Sequence, residues 1–137
     1  MTEKDRRMDN KAKILVVDDD FGYIKSIRAI LESKEYTVDT ANDRESAIEK
    51  IRKTKPDLVL LDIMMDRLDD GFTICYRLKH DPELRQIPIL TISAITEKTG
   101  FKFSPATDGE YFEADDYIEK PVKPSDLLER IERLLKR

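Results

Sequence analysis

Five short apolar runs alternate with amphipathic helical patterns along this chain, and this alternation restricts the fold more than any other feature of the sequence. The runs are rich in valine, isoleucine and leucine, which is typical of buried strands. We predict strands at Lys13–Asp20, Tyr36–Ala41, Asp57–Asp62, Ile87–Ser93 and Asp116–Lys120. Because strand–helix–strand units cross over with a right hand and cover the sheet with helices, the pattern predicts an α/β fold with a parallel sheet covered on both faces.

The segments between these runs carry apolar residues at helical spacing. They predict helices over about 21–33, from a cap at Asn42 or Asp43 to the residue before Pro56, from Gly71 to about His80, and from Pro124 or Ser125 onward. The segment 95–114 differs, because its two glycines and its proline disfavour a continuous helix. We therefore expect a short or displaced helix in that segment.

The chain has 137 residues, which is the length of one domain. Residues 1–11 are charged and aperiodic, so we expect a flexible lead-in followed by one domain over 12–137. The net charge of -4 and the lack of a basic stripe argue against direct nucleic-acid binding. The single cysteine indicates a reducing compartment, and the sequence shows neither the pattern of a secretory leader nor an apolar run of membrane-spanning length. We expect a cytoplasmic protein that does not bind membranes.

Polar residues suited to phosphoryl chemistry follow four of the predicted strands. Asp18, Asp19 and Asp20 follow the first, Asp62 ends the third, Ser93 and Ala94 end the fourth, and Lys120 ends the fifth. Open parallel sheets bind ligands beyond the carboxyl ends of their strands, so we expect these groups to lie together. Carboxylates can hold Mg²⁺ and act as a nucleophile, while a hydroxyl and an ammonium group can bind phosphate oxygens. Each residue alone has a simpler interpretation as a helix cap, a turn hydroxyl or a surface charge, but four strand ends would have to carry suitable groups by chance.

Four motifs, ILVVDDD, DLVLLDIMM, ISA and DYIEKPV, occur in the order and spacing found in the receiver domain of two-component response regulators. The chain resembles this family from about Lys13 to Lys136. The resemblance implies a flavodoxin-like, doubly wound sheet of five parallel strands in the order 2-1-3-4-5 with helices on both faces. It also implies a phosphorylation-dependent signalling switch that catalyses only its own phosphoryl transfer and dephosphorylation and has no separate substrate.

The resemblance further implies a role for individual residues. The phosphoacceptor is Asp62. The ligands of the expected Mg²⁺ ion are Asp18, Asp19, Asp62 and the backbone carbonyl of Met64. The residues expected to bind phosphate are Ser93, Ala94 and Lys120, and the residues expected to switch on activation are Ser93 and Tyr117.

The expected partners also follow from the resemblance. They are a sensor histidine kinase or a phosphotransfer protein as phosphoryl donor, an unidentified downstream protein target and, as a further option, a second copy in a phosphorylation-dependent homodimer. The expected output face lies where the fourth helix, the fifth strand and the last helix meet. The chain is expected to be either a stand-alone regulator or a receiver excised from a longer protein.

Two other functions are open at this point. Asp18 and Asp20 form the D-x-D pattern of a haloacid-dehalogenase-type phosphatase, in which Asp18 would be the nucleophile and Asp20 the general acid and base. A receiver-like module could instead bind a partner without taking up phosphate.

Three further acids lie near Asp62 in the sequence. Asp66, Asp69 and Asp70 are predicted to lie in the loop before the third helix, with Asp70 as its N-cap. Asp66 also stands where members of the resembled family typically have proline. We expect these acids to be solvated and not to react.

Overall fold

The computed structural model describes residues 12–62, 68–93, 114–119 and 121–136, except for the side chains of residues 68–72 and Ser93. The strands of this part are β1 (Lys13–Val17), β2 (Thr37–Ala41), β3 (Leu58–Asp62), β4 (Ile89–Ser93) and β5 (Asp116–Glu119). Its helices are α1 (Phe21–Glu32), α2 (Arg44–Thr54), α3 (Leu68–Lys79) and α4 (Pro124–Leu135). The strands pair in parallel, in the order β2-β1-β3-β4-β5. The predicted fold class and strand order are therefore confirmed, while the predicted lead-in and nearly all of 95–114 lie outside the described residues.

Successive residues of the central strands point to opposite faces of the sheet, and each face has its own apolar core. On one face, Leu15 and Val17 of β1 pack with buried residues of α2 and α3, among them Ile51 and Ile74. On the other face, Ile14 and Val16 pack with residues of α1 and α4, which include Ile27, Leu31, Leu127 and Ile131. All five residues of β3 are buried, because this strand lies near the middle of the sheet with helices on both sides.

Two helices begin at residues that suit a helix N-terminus. The carboxylate of Asp43 accepts a hydrogen bond from the Ser46 amide at 2.8 Å, so Asp43 caps α2. Asp43 is one of the two caps that the sequence predicted for this helix. Pro124 occupies the first turn of α4, where its missing amide hydrogen costs no helical hydrogen bond. Over the described residues, no helix combines the length and the apolar character needed to cross a bilayer.

The start of α3 corrects one prediction. The helix begins at Leu68, so Asp69 and Asp70 lie in its first turn and Asp70 is not its N-cap. Acidic residues are favoured in a first helical turn because they interact well with the positive end of the helix dipole. The helix therefore begins three residues before the predicted start at Gly71, whereas Asp66 lies outside the described residues.

Two strands, the first and the fourth, are shorter than predicted by more than one residue, whereas β2 and β3 each begin only one residue later than predicted. The first strand ends at Val17 rather than Asp20, because the Asp20 amide donates a hydrogen bond to the Asp18 side chain at 3.0 Å and Asp20 already caps α1. The fourth begins at Ile89 rather than Ile87, because the Ile87 amide donates to the Leu84 carbonyl in a turn.

We expect Lys55→Gly to stabilise the domain by about 0.5–1 kcal/mol. Lys55 ends α2 in the left-handed conformation, with φ 46° and ψ 69°, and its amide donates to the Ile51 carbonyl at 2.9 Å. A side chain in this conformation costs about 1–2 kcal/mol that glycine does not incur, and part of that gain is offset by the greater freedom of glycine in the unfolded chain. Urea unfolding measures the change.

Lys53→Gly is the matched control for this prediction. Lys53 lies inside α2, where the same change is expected to destabilise the domain by about 1 kcal/mol. If Lys55→Gly and Lys53→Gly lowered the free energy of unfolding equally, the left-handed backbone at Lys55 would carry no conformational cost.

Candidate functional site

The site lies at the carboxyl ends of β1 and β3, the two neighbouring strands at which the order of the sheet reverses. From β1 the chain continues to β2 on one side, and from β3 it continues to β4 on the other. Crossover connections therefore leave the sheet in opposite directions from these two strands, and a crevice opens between them. The first residue beyond β1 is Asp18 and the last residue of β3 is Asp62, so the backbone alone places both at this crevice.

Three carboxylates meet there. Asp18, Asp19 and Asp62 each supply an oxygen such that the three oxygens all lie within 4.8 Å of one another. Asp18 and Asp62 are buried, with 1% and 4% of their surfaces exposed, whereas Asp19 is partly exposed. The predicted gathering of these three residues is confirmed.

Asp20, the remaining member of the acidic run, has a structural role. One of its carboxylate oxygens accepts a hydrogen bond from the Tyr23 amide at 3.1 Å and so caps α1. Its own amide donates to the Asp18 carboxylate at 3.0 Å, which fixes the orientation of that side chain. This arrangement uses Asp20 as a helix cap and gives no support to the acid–base role that the phosphatase alternative requires of it.

The chemistry of the acid cluster fits Mg²⁺. Oxygen ligands from carboxylates are those that Mg²⁺ prefers, and one or two carboxylates usually suffice to hold it. Three carboxylates this close repel one another. A divalent cation between them offsets this electrostatic repulsion in the folded chain. The described residues therefore provide oxygen donors suited to Mg²⁺, an ion that assists phosphoryl transfer.

The other predicted site residues are placed only in part. Ser93 is the last residue of β4 and lies in register with Glu119 of β5, but its side chain is outside the described residues. Met64, Ala94 and Lys120 also lie outside them. Tyr117 lies in β5, in register with Thr91, and is partly buried.

Arg130 of α4 forms a contact with β5 that the sequence did not reveal. Its Nη1 donates to both carboxylate oxygens of Asp116, at 3.0 and 3.1 Å, and to the backbone carbonyl of Tyr117 at 3.0 Å. Its Nε donates to Asp126 at 3.2 Å. Burial lowers the pKa of Arg130, but the Asp116 and Asp126 carboxylates outweigh that effect and raise it. The guanidinium group therefore joins the backbone of Tyr117 to the last helix.

The fold and the site together define a doubly wound α/β protein with an acid cluster at the β1–β3 switch point. The family model for the response regulator receiver domain matches residues 14–132, and this chain belongs to that family, as the sequence motifs predicted.

Individual relatives agree with this assignment. The chain is 37% identical to the response regulator PleD of Caulobacter vibrioides over 123 residues, which cover 90% of this chain and 26% of PleD. It superposes on the N-terminal domain of a response regulator receiver protein from Methanoculleus marisnigri with a TM-score of 0.68 and 38% identity, covering 92% of this chain and 98% of that one. It superposes on the chemotaxis response regulator CheY4 of Vibrio cholerae with a TM-score of 0.77 and 26% identity, covering 91% and 99% of the two chains.

The chain spans between about a quarter and a half of the length of the curated relatives it matches. The shared part is the receiver domain, so the similarity supports the class of the domain and its place in two-component signalling.

Proposed function

We propose that this domain, residues 12–137, is a cytoplasmic phosphorylation switch in which Asp62 accepts a phosphoryl group from a sensor histidine kinase or a phosphotransfer protein. The observation that carries the proposal is the close approach of the Asp18, Asp19 and Asp62 carboxylates at the switch point of the sheet. Asp62 suits the role of nucleophile because it ends the central strand β3 and because the other two acids lie beside it as ligands for a cation.

The reaction we propose is a direct displacement at phosphorus. A carboxylate oxygen of Asp62 forms the new bond to phosphorus, the bond to the donor's imidazole nitrogen breaks, and that nitrogen keeps the electron pair. Asp18, Asp19 and the Met64 carbonyl would complete the ligand set of Mg²⁺, which supplies charge compensation for the phosphoryl oxygens. From the family resemblance, Ser93, Ala94 and Lys120 would bind the phosphoryl group.

We further propose that the output passes through β5 and α4 to an as yet unidentified protein partner or to a second copy of the domain. Arg130 supports this route, since it joins the Tyr117 carbonyl of β5 to α4. A displacement of the Tyr117 backbone on phosphorylation would therefore be passed to the last helix through Arg130. In this reading the domain catalyses its own phosphoryl transfer and dephosphorylation and acts on no separate substrate.

Incubation with acetyl phosphate and Mg²⁺ followed by intact-mass measurement tests the proposal. A switch gains one phosphoryl group, and the modification is labile to hydroxylamine as an acyl phosphate is. A phosphatase would release inorganic phosphate over many turnovers, and a module that only binds a partner would show neither result. Either of the latter outcomes would overturn the proposal.

We expect Asp19→Asn to weaken Mg²⁺ binding by at least about tenfold, because the change removes one carboxylate of the proposed ligand set. Titration calorimetry at constant ionic strength measures the affinity. The matched control is Asp20→Asn, which changes the adjacent acid in the same way and keeps a good helix cap, since asparagine and aspartate cap equally well. An equal loss of affinity in both variants would point to general electrostatics rather than to coordination by Asp19.

A further inference from the structure

Among the described strands of the sheet, β2 and β5 have a neighbour on one side only. On the side of β2 that faces β1, the Thr37 amide donates to the Ala12 carbonyl at 3.1 Å. The Ala41 carbonyl accepts from the Asp18 amide at 3.1 Å on the same side. Because the backbone groups of successive residues in a strand alternate between its two sides, the amide and carbonyl of Thr40 point to the free side of β2. Free groups of this kind on an edge strand can pair with a strand of another molecule.

Asp39 and Lys50 occupy both of these backbone groups. The Asp39 carboxylate accepts a hydrogen bond from the Thr40 amide at 2.8 Å. The ammonium group of Lys50, on α2, donates to the Thr40 carbonyl and also to the same oxygen of Asp39, the latter at 3.2 Å. Together these bonds close a ring across the free side of β2, which we call the β2 edge lock.

The free side of β5 presents the backbone of Tyr117. On β4, Thr91 alternates with the residues that bond to β3, since the Val59 amide donates to the Pro88 carbonyl, so the backbone of Thr91 faces β5. Thr91 is in register with Tyr117. In a parallel pair a residue bonds to the neighbours of its register partner, so the amide and carbonyl of Tyr117 point away from β4.

Asp116 and Arg130 occupy these two groups in the way that Asp39 and Lys50 do at β2. The Asp116 carboxylate accepts from the Tyr117 amide at 2.8 Å. The Arg130 guanidinium, on α4, donates to the same oxygen of Asp116 and to the Tyr117 carbonyl, both at 3.0 Å. This β5 edge lock uses a different cation on a different helix, so the same arrangement recurs at both edges of the described sheet.

Stabilisation of the fold does not explain the recurrence. Both ion pairs are partly exposed to solvent, and pairs of this kind contribute less than about 1 kcal/mol. Backbone groups at the free side of an exposed strand can also bond to water, so they need no side-chain partner. Occupying the amide and carbonyl of one edge residue has a different consequence, because it leaves no free donor and acceptor at that residue for an incoming strand.

We propose that the two edge locks close the sheet against strand addition and so prevent a second copy of the domain from pairing with β2 or β5. A two-fold axis at the β2 edge would place β2 antiparallel to β2 of the second copy, and Thr40 would then supply an amide and a carbonyl to the pairing. This pairing requires the β2 edge lock to open, because both groups already have partners. The locks act whether or not Asp62 carries a phosphoryl group.

The double variant Asp39→Val, Lys50→Met tests the proposal, because it removes both halves of the β2 edge lock. Sedimentation velocity is expected to show a concentration-dependent dimer that the wild type does not form. In that dimer, the amides of Val38 and Thr40 are expected to exchange at least about tenfold more slowly than in the dilute double variant. Each single variant keeps one backbone group of Thr40 occupied and is expected to associate less than the double variant.

The matched control is Glu49→Val, Lys53→Met. It exposes the same two apolar side chains on α2 with no net change of charge and leaves the β2 edge lock intact, so it is expected to sediment as the wild type does. Sedimentation of the Asp39→Val, Lys50→Met variant as wild type, association no greater than that of the control, or association without protection of Val38 and Thr40 would overturn the proposal.

The β5 edge lock provides an independent test. Asp116→Val, Arg130→Met is expected to associate with slower exchange of the Tyr117 amide, since that amide and the Tyr117 carbonyl lose their partners. Association that leaves exchange at Tyr117 unchanged, or no association beyond that of the wild type, would overturn the role of this pair as an edge lock.

Discussion

Asp62→Asn is expected to abolish phosphoryl uptake from acetyl phosphate while leaving the fold intact. The carboxamide nearly matches the carboxylate in shape, so the end of β3 can keep its packing. It lacks the anionic oxygen that attacks phosphorus, and it removes one of the three carboxylates of the cluster. Intact-mass measurement of the variant should show no phosphoryl group under conditions in which the wild type is modified.

Asp43→Asn controls for the loss of a single acid at this edge of the sheet. Asp43 follows β2 and caps α2, and asparagine preserves that cap. The control is expected to take up phosphate as the wild type does. Modification of Asp62→Asn at the wild-type rate would assign the phosphoryl group to another residue, and a peptide map would identify it.

The same substitution has a second expected effect, on stability. In the absence of divalent cations, Asp62→Asn removes repulsion between buried or partly buried carboxylates within 4.8 Å of one another. We expect the free energy of unfolding to rise by about 1–2 kcal/mol in metal-free buffer, as for charge pairs at this separation. Added Mg²⁺ should reduce or reverse this difference, because the wild type gains more from the cation than the variant does.

The architecture was predictable because it depends on backbone-scale patterns. Consecutive apolar residues in β1, β3 and β4 require burial on both faces of a sheet, and alternation with helical patterns requires parallel strands. The strand order then places Asp18 and Asp62 at adjacent strand ends with no reference to side-chain detail. The acid cluster could therefore be predicted from the sequence, both from the strand pattern and from the family motifs.

What the sequence did not reveal depends on side-chain direction and on contacts between distant segments. Arg130 and Asp116 are 14 residues apart, and neither belongs to a motif that predicts their pairing. The start of α3 was misplaced because acids that resemble a loop also suit a first helical turn.

Lys79 and Asp115 form a second long-range contact of this kind, and it anchors the start of β5. The ammonium group of Lys79 donates to Asp115 at 2.8 Å and to the carbonyls of Arg85 and Ile87 at 3.2 and 3.0 Å. The Asp115 carboxylate also accepts from the Ile89 amide at 2.8 Å. The contact therefore joins the end of α3, the connection to β4 and the residue before β5. It lies at the amino ends of the strands, whereas the acid cluster lies at their carboxyl ends.

We expect Lys79→Met to destabilise the domain by about 3 kcal/mol, measured by urea unfolding. The two side chains of this pair are only 16% and 17% exposed, so removal of the ammonium leaves a largely buried carboxylate without its counter-charge. Methionine retains most of the apolar stem, which confines the loss to the charge and its hydrogen bonds. Lys50→Met is the matched control, because Lys50 pairs with Asp39 at 39% and 41% exposure and such pairs contribute less than about 1 kcal/mol.

The double variant Lys79→Met, Asp115→Asn separates the charge from the packing. Asparagine at position 115 can still accept from the Ile89 amide but carries no charge, so the double variant is expected to be more stable than Lys79→Met alone. Because this pair holds the residue before β5, its loss should also speed amide exchange in Asp116–Glu119 more than in β1 or β3. Additive losses in the cycle, or exchange that increases equally in all strands, would show that Lys79 stabilises the domain without anchoring β5.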